Sequence, residues 1–306
     1  MTADPRTRPA GVDAGSPQGS ASRQTRGSKP DRNLNEHGSK AWDIALVISD
    51  VDGTLVTGDK RLTAATVAAV GRLRAAGIGF SIASARPPVG LRGLVAQLGL
   101  DLPMGAFNGA SVVRPDLSTL EERTIPEPAA REALDRLLAE GLDVWVFANG
   151  AWYLRDPKGP YTDLERRTIG AEPEVVADLG TLMGAAGKIV GVSRDHAHLA
   201  ACETRIGAAL ADRATIHRSQ AYYLDVTPPH LDKGQFVAWM SAHLGIAPER
   251  IATFGDAGND CPMFARSGFS VAMGNADDAV KAVARAVTDS NEADGFAHGV
   301  DRFILP

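Results

Sequence analysis

The rhythm of apolar and polar positions changes along the chain, and the changes predict its organisation. Ile44 to Ser49 (Ile-Ala-Leu-Val-Ile-Ser) is a continuous apolar run, the pattern of a strand buried on both faces. Thr63 can N-cap a helix running to Ala76, with Val67, Val70 and Leu73 as its apolar side and Gly77 at its C-terminus. Ile78 to Ala83 reads as a strand, Pro87 to Leu98 as a helix and Met104 to Phe107 as a third strand. This alternation predicts an α/β fold with a parallel, doubly wound sheet.

The texture changes from Gly109 to Thr227. Short strands are expected at Ala110–Arg114, Asp143–Phe147, Trp152–Leu154, Lys188–Val192, Thr215–His217 and Tyr222–Val226, with helices at Glu127–Glu140 and His196–Ala211. This is the signature of an inserted α+β domain. The α/β rhythm then resumes, with a helix at Gly234–Leu244, a strand at Arg250–Phe254, a helix from Cys261 to Ala265, a strand at Ser270–Ala272 and a last helix at Asp277–Arg285. The expected layout is therefore a core from 42–108 and 228–306, with 109–227 inserted. No internal repeat is visible.

Residues 1–41 stand apart, being rich in Gly, Ser, Pro, Arg and Asp and nearly empty of large apolar side chains. Such a segment cannot bury enough surface to offset its ordering entropy, and a disordered tail is expected. Its Arg and Ser content is that of an organelle presequence, but Pro and Gly interrupt any amphipathic helix, so a mobile extension without function is the reading adopted.

Charge and cysteine usage narrow the partners. A net charge of −5 does not attract a nucleic-acid backbone without a concentrated basic face, and none is visible. The two cysteines, Cys202 and Cys261, are far apart, against a disulfide scaffold or a thiolate zinc site and in keeping with a reducing cytoplasm. No apolar run approaches a membrane span, and no signal-peptide stretch is read at the N-terminus. The expected partner is a small molecule rather than nucleic acid or a membrane, with the chain a cytoplasmic monomer or homodimer.

The chemistry gathers at strand ends, where open α/β sheets place their ligands. Asp50-Val51-Asp52-Gly53-Thr54-Leu55 leaves the first buried strand with two carboxylates two positions apart. One carboxylate can act as a nucleophile and form an acyl phosphate, and the other can move a proton. Taken alone, the pair is matched by a common Asp- and Gly-rich turn. Ser84-Ala85-Arg86 follows the second strand with a hydroxyl and backbone amides suited to a phosphate, although a lone Ser84 next to Pro87 also fits a helix N-cap. Lys233, after Asp232 and before a helix, offers a compact positive charge, yet a single lysine is usually a solvated surface group. Gly255-Asp256-Ala257-Gly258-Asn259-Asp260 follows a late strand with two acids and an amide, a donor set for Mg²⁺ or simply a glycine-rich helix entry.

The order and placement of these four turns resemble the haloacid dehalogenase superfamily, and more narrowly its Cof-type hydrolases with a type IIB cap. Phe107-Asn108-Gly109-Ala110, Met273-Gly274-Asn275-Ala276 and the stretch Thr288 to Gly295 add to the likeness, which runs from Ile44 to the C-terminus. The resemblance implies a Rossmann-like core and a magnesium-dependent phosphatase. In it, Asp50 would be nucleophile and metal ligand. Asp52 would be the acid/base, with its backbone carbonyl on the metal. Ser84 would bind phosphate, and Lys233 would hold phosphate and nucleophile. Asp256 would ligate Mg²⁺, Asn259 would contact phosphate, and Asp260 would support the metal or Lys233. Arg86 and Asn108 would face the substrate, a small phosphate monoester such as a sugar phosphate or a nucleotide-like cofactor phosphate. A phosphomutase of the same superfamily and a non-catalytic phosphometabolite-binding regulator stay open as alternatives. A dehalogenase would need neither Asp52 nor the acidic loop.

The chain departs from the family pattern at two points. Relatives usually carry Thr-Gly-Arg where this chain has Ser84-Ala85-Arg86, which keeps the hydroxyl but adds a methyl group. His230 stands where glycine is common, and a surface histidine is expected there. His196 and His198 point to different helix faces and make a poor metal pair. Trp145, Trp152, Tyr153 and Tyr161 are expected to fill a core, and Arg155 and Arg218 to lie on the surface.

Overall fold

A computed structural model of the chain describes residues 42–305; the expectation for 1–41 lies outside them. The strands, in chain order, are β1 (Leu46–Ser49), β2 (Gly79–Ile82), β3 (Met104–Ala106), β4 (Ser111–Val113), β5 (Thr119–Glu122), β6 (Asp143–Ala148) and β7 (Ala151–Leu154). They continue as β8 (Glu174–Val175), β9 (Ala186–Val192), β10 (Thr215–Gln220), β11 (Tyr223–Thr227), β12 (Ile251–Gly255), β13 (Phe269–Ala272) and β14 (Ala286–Val287). The central sheet has the order β14-β13-β12-β1-β2, and its pairings are parallel. An isolated parallel bridge, Ala83 to Gly105, carries the sheet on to β3.

The first apolar run behaves as a strand buried on both faces. Leu46 and Ile48 pack into one cluster with Phe236, Val237 and Met240 from the helix Lys233–Leu244. Val47 points the other way, among Val70 and Leu73 of the helix Ala64–Ala75. The period-two alternation of a strand thus serves two helical layers at once. Thr63 caps the helix Ala64–Ala75 as its side chain predicts, accepting a hydrogen bond from Thr66 N at 3.1 Å.

The stretch from Pro87 to Leu98 is two pieces rather than one helix, a tight turn at Pro88–Leu91 followed by the helix Arg92–Leu98. Neither Pro87 nor Pro88 has an N–H to give, and Gly90 weakens the same turn.

The strand foreseen at Ala110–Arg114 pairs with β3, and β5 pairs with it in turn, so β3-β4-β5 forms a small antiparallel sheet beside the central one. The remaining strands form a separate six-stranded sheet, β10-β11-β9-β6-β7-β8. One of its faces is covered by the helices Glu127–Ala139 and His196–Leu210 through Leu137, Val146, Ile189, Cys202 and Leu224. The other face is aromatic. Trp145 and Trp152 are fully buried there, with ring centroids 5.2 Å apart, and Phe107 joins them from the edge of the core sheet. Among the described residues no helix is long and apolar enough to cross a membrane.

Candidate active site

The central sheet reverses its winding direction beside β1. From there β2 and β3 run to one side, and β12, β13 and β14 to the other. A crevice opens at such a point outside the carboxyl ends of the strands. Asp50 follows β1, Ser84 follows β2 and Asp256 follows β12, so three neighbouring parallel strands deliver three of the expected residues to one place.

Asp50 is almost wholly buried, and its backbone N–H continues the ladder to Phe254 O at 2.9 Å. Lys233, the first residue of its helix and 1% exposed, reaches in from the other side. Its Nζ donates to Asp50 Oδ1 at 2.5 Å and to Asp260 Oδ1 at 2.6 Å. The other oxygen of Asp260 accepts from the backbone N–H groups of Asp256 and Ala257 at 2.9 and 3.0 Å. Both oxygens of Asp260 are therefore engaged in positioning Lys233 and the acidic loop. Asp256 accepts from Thr54 Oγ1 at 3.0 Å.

The carboxylates of Asp50, Asp256 and Asp260 lie within 4.8 Å of one another, with Lys233 as the cation between two of them. Burial pushes the Asp50 carboxyl well above its ordinary range. Lys233 pulls it back, and Asp260 and Asp256 push it up again. Burial and then Asp260 raise Asp256 to about 6. Lys233 is raised too, because its two acids outweigh the cost of burying it. Clustered carboxylate oxygens of this kind are hard donors that could hold a divalent cation such as Mg²⁺.

The Asp52 carboxylate is not in that group. It is held in a fork by Arg86, with Nε to Oδ2 at 2.7 Å and an Nη to Oδ1 at 2.8 Å. Lys60 adds a third contact, Nζ to Oδ1 at 2.8 Å. Burial works to raise this carboxyl, but the Arg86 hydrogen bonds and charge, and then Lys60, hold it well below the usual carboxylate range. Ser84 is buried, and its hydroxyl accepts from Arg86 N at 3.1 Å. Asn108 takes a left-handed conformation, φ 57°, donates its backbone N–H to Ser84 O at 2.8 Å and receives Asn259 Nδ2 on its side-chain oxygen at 3.2 Å. Asn108 and Asn259 thus join the second strand's turn to the acidic loop. Ala85, whose methyl group replaces the more usual glycine, lines the cavity.

Asn275 and Asn291 support the site from residues that only the family likeness had marked. Asn275 Nδ2 donates to Gly53 O at 2.9 Å and to Asp256 Oδ2 at 3.3 Å, and its own oxygen accepts from Asn291 N at 3.0 Å. Gly53 sits at φ +91°, and a methyl group there would collide with the Asp256 carboxylate. Gly53→Ala is therefore expected to lower thermal stability by about 1–3 kcal/mol through backbone strain and to displace Asp256. Thermal melts and a metal titration of the variant check this.

Several cavity residues carried no signal of their own in the sequence. Lys60, Glu165, Lys188 and the pair Tyr222 and Tyr223 line the space over Asp50 and Asp52. His230 is exposed with φ 57°, a left-handed position that accounts for glycine being common there. Tyr161 stacks on Tyr222 at 4.2 Å, and Arg218 pairs with Glu203 at 2.8 Å.

A profile of haloacid dehalogenase-like hydrolases matches residues 47–300. A Haemophilus influenzae protein assigned as a phosphatase is 30% identical over 264 residues, covering 82% of this chain and 95% of its own. The 5-amino-6-(5-phospho-D-ribitylamino)uracil phosphatase of Bacillus subtilis is 28% identical, covering 85% of this chain and 97% of its own. Among solved structures, a haloacid dehalogenase-like hydrolase from Bacteroides thetaiotaomicron superposes with a TM-score of 0.78 at 24% identity, covering 85% of this chain and 99% of that one. The chain belongs to the haloacid dehalogenase-like hydrolase family, in its Cof-type branch, and is an enzyme of the phosphatase kind.

Proposed function

We propose that the protein is a Mg²⁺-dependent phosphatase that transfers the phosphoryl group of a small phosphate monoester to Asp50 and then to water. The observation that carries this reading is the buried Asp50 carboxylate, fixed by Lys233 at 2.5 Å, with a second acid, Asp52, on the same cavity wall. We also take 42–108 with 228–306 as the catalytic core and 109–227 as a cap over the strand ends, the hairpin of β4 and β5 being its link to the core sheet. Relatives named for a phosphoribitylaminouracil and for HMP-PP support a small phosphorylated substrate.

Asp50 and Asp256, with the backbone carbonyl of Asp52, are the groups that would hold Mg²⁺, and Asp260 would support them through Lys233 and the acidic loop; the ion when bound supplies positive charge for the phosphoryl oxygens. The chain's own residues do the rest. Lys233 offsets the repulsion between the Asp50 carboxylate and an anionic phosphate, and Ser84 with the amides of its turn receives the phosphate oxygens. Asp50 Oδ attacks phosphorus in line, the bond from phosphorus to the leaving oxygen breaks, and Asp52 gives that oxygen a proton. Water then attacks the acyl phosphate, Asp52 takes its proton, and inorganic phosphate leaves with Asp50 restored. Arg86 and Lys60 aim the Asp52 carboxylate at the leaving oxygen. They hold it ionised in the free enzyme; the negative charge of the arriving phosphate raises it so that it takes a proton from solvent, the proton it gives to the leaving oxygen and regains from the attacking water.

The test is hydrolysis of p-nitrophenyl phosphate by the purified full chain, with and without Mg²⁺, beside Asp256→Asn. Phosphate release is expected only with Mg²⁺. The substitution should raise the Mg²⁺ concentration at half-maximal rate by about 10- to 100-fold or more, since even outer partners of metal ligands cost that much. Release that ignores both Mg²⁺ and the substitution would end this reading.

A further inference from the structure

The cavity over Asp50 and Asp52 has a volume of about 210 Å³ and two walls. One belongs to the core and carries the reacting groups. The other comes from the six-stranded-sheet unit and includes Glu165 on the helix Thr162–Ile169, Lys188 on β9, and Tyr222 with Tyr223 at the start of β11. Pockets that enclose drug-sized ligands run to about 300–1,000 Å³, and this cavity lies below that range.

Every cation on these walls touches an acid, whereas two acids touch no cation, Asp256 in the proposed metal cluster and Glu165 opposite it. On the core side Arg86 and Lys60 both grip Asp52, and Lys233 lies between Asp50 and Asp260. On the opposite wall Lys188 Nζ sits 2.6 Å from Asp225 Oδ2, an acid with no exposure at all. His217 Nε2 is 4.0 Å from the same oxygen, and burial holds this imidazole below its ordinary range. Among the described residues Glu165 alone on this wall has no ion pair within bonding distance. Burial raises its carboxyl, while Lys188, the neighbouring Tyr223 hydroxyl and Arg86 pull it back and Asp225 pushes it up again.

We propose that Glu165 sets the leaving-group preference of the enzyme, accepting hydrogen bonds from hydroxyl groups of the alcohol that is released and disfavouring substrates with a second anionic group. The inference rests on the phosphatase reading above. Two physical effects point the same way. A carboxylate accepting from a hydroxyl makes a stronger bond than a neutral pair does, and a site built to pair with a hydroxyl discriminates against a ligand that lacks it. A second anion, in turn, would enter a partly desolvated space where every cation already has an acid, and would meet the negative charge of Glu165 there.

Two matched substrate pairs test this with the full chain and Mg²⁺. Glucitol 6-phosphate and 6-phosphogluconate differ only by a CH₂OH in place of a carboxylate, as do glycerol 3-phosphate and 3-phosphoglycerate. The wild-type kcat/KM is expected to favour the alcohol of at least one pair by about tenfold or more. Glu165→Gln is expected to shrink that preference at least about fivefold, mainly by raising kcat/KM for the carboxylate member, a change that simple loss of structure does not produce. A circular-dichroism melt establishes that the variant folds; should it not fold, the wild-type preference decides alone. Equal or reversed preference in both pairs, or an unchanged preference in folded Glu165→Gln, overturns the inference while leaving the phosphatase reading in place. Release from neither pair nor from p-nitrophenyl phosphate removes the phosphatase reading and the inference with it.

Discussion

Asp50→Asn is expected to abolish phosphate release, by about 10⁴-fold or more, in a protein that stays folded. An amide cannot serve as the nucleophile, so no acyl phosphate forms, while asparagine keeps the shape and an oxygen on which Lys233 Nζ can still donate. The fold should gain rather than lose from the change. Asp50 is one of three clustered acids sharing one buried lysine, and burial with its acidic neighbours holds its folded pKa above the unfolded value. A group raised in this way contributes stability below its unfolded pKa and loses it as pH rises through the folded one. The metal-free wild type should therefore lose stability relative to Asp50→Asn as pH rises above the ordinary aspartate range, about 4. Urea unfolding in EDTA at pH 5 and pH 8, with phosphate release followed alongside, measures both effects. Retained activity would remove Asp50 from the nucleophile's role, and a pH-independent stability difference would remove the charge argument.

Asp50, Ser84 and Asp256 were legible because each follows an apolar run that could be read as a buried strand, and the fold places strand ends together. Lys233 was legible only in company, since nothing in its own sequence says that it is buried. The opposite wall of the cavity was far less visible. Glu165 lies in an eight-residue helix that opens at Tyr161 in a left-handed conformation without a side-chain cap, so no start signal marks it. Lys188 interrupts an otherwise apolar strand, and its partner Asp225 lies on the neighbouring strand β11, 37 positions away. Such a pair is set by sheet register, which the linear pattern does not specify. β5 escaped notice for a related reason. Its Thr-Leu-Glu-Glu sequence is that of a partly exposed edge strand, and only the pairing with β4 defines it. The roles of Asn275 and Asn291 likewise depend on bringing the last quarter of the chain against Gly53 and Val56.

Lys233→Met is expected to damage stability and turnover together, because this lysine is the sole cation in contact with Asp50 and Asp260 among the described residues. Methionine matches the stem's bulk, so packing against the helix start is largely kept and the charge is what is lost. Removing one member of a buried ion pair costs about 3–5 kcal/mol, since the remaining charge stays buried and unpaired. Here two acids are left, and one of them, Asp260, also fixes the backbone of Asp256 and Ala257, so the acidic loop should loosen as well. Turnover should fall by about 10²- to 10³-fold or more, the scale on which a single preorganised group stabilises developing charge. The double variant Lys233→Met with Asp50→Asn separates charge from packing. It removes the lysine and one of its two acids, and is expected to recover part of the stability lost in Lys233→Met alone, a coupling that equilibrium urea unfolding of the four proteins resolves as a double-mutant cycle. Strict additivity in that cycle would mean that Lys233 stabilises the fold through its stem and not through its charge, and the electrostatic account of the site would fail at its centre.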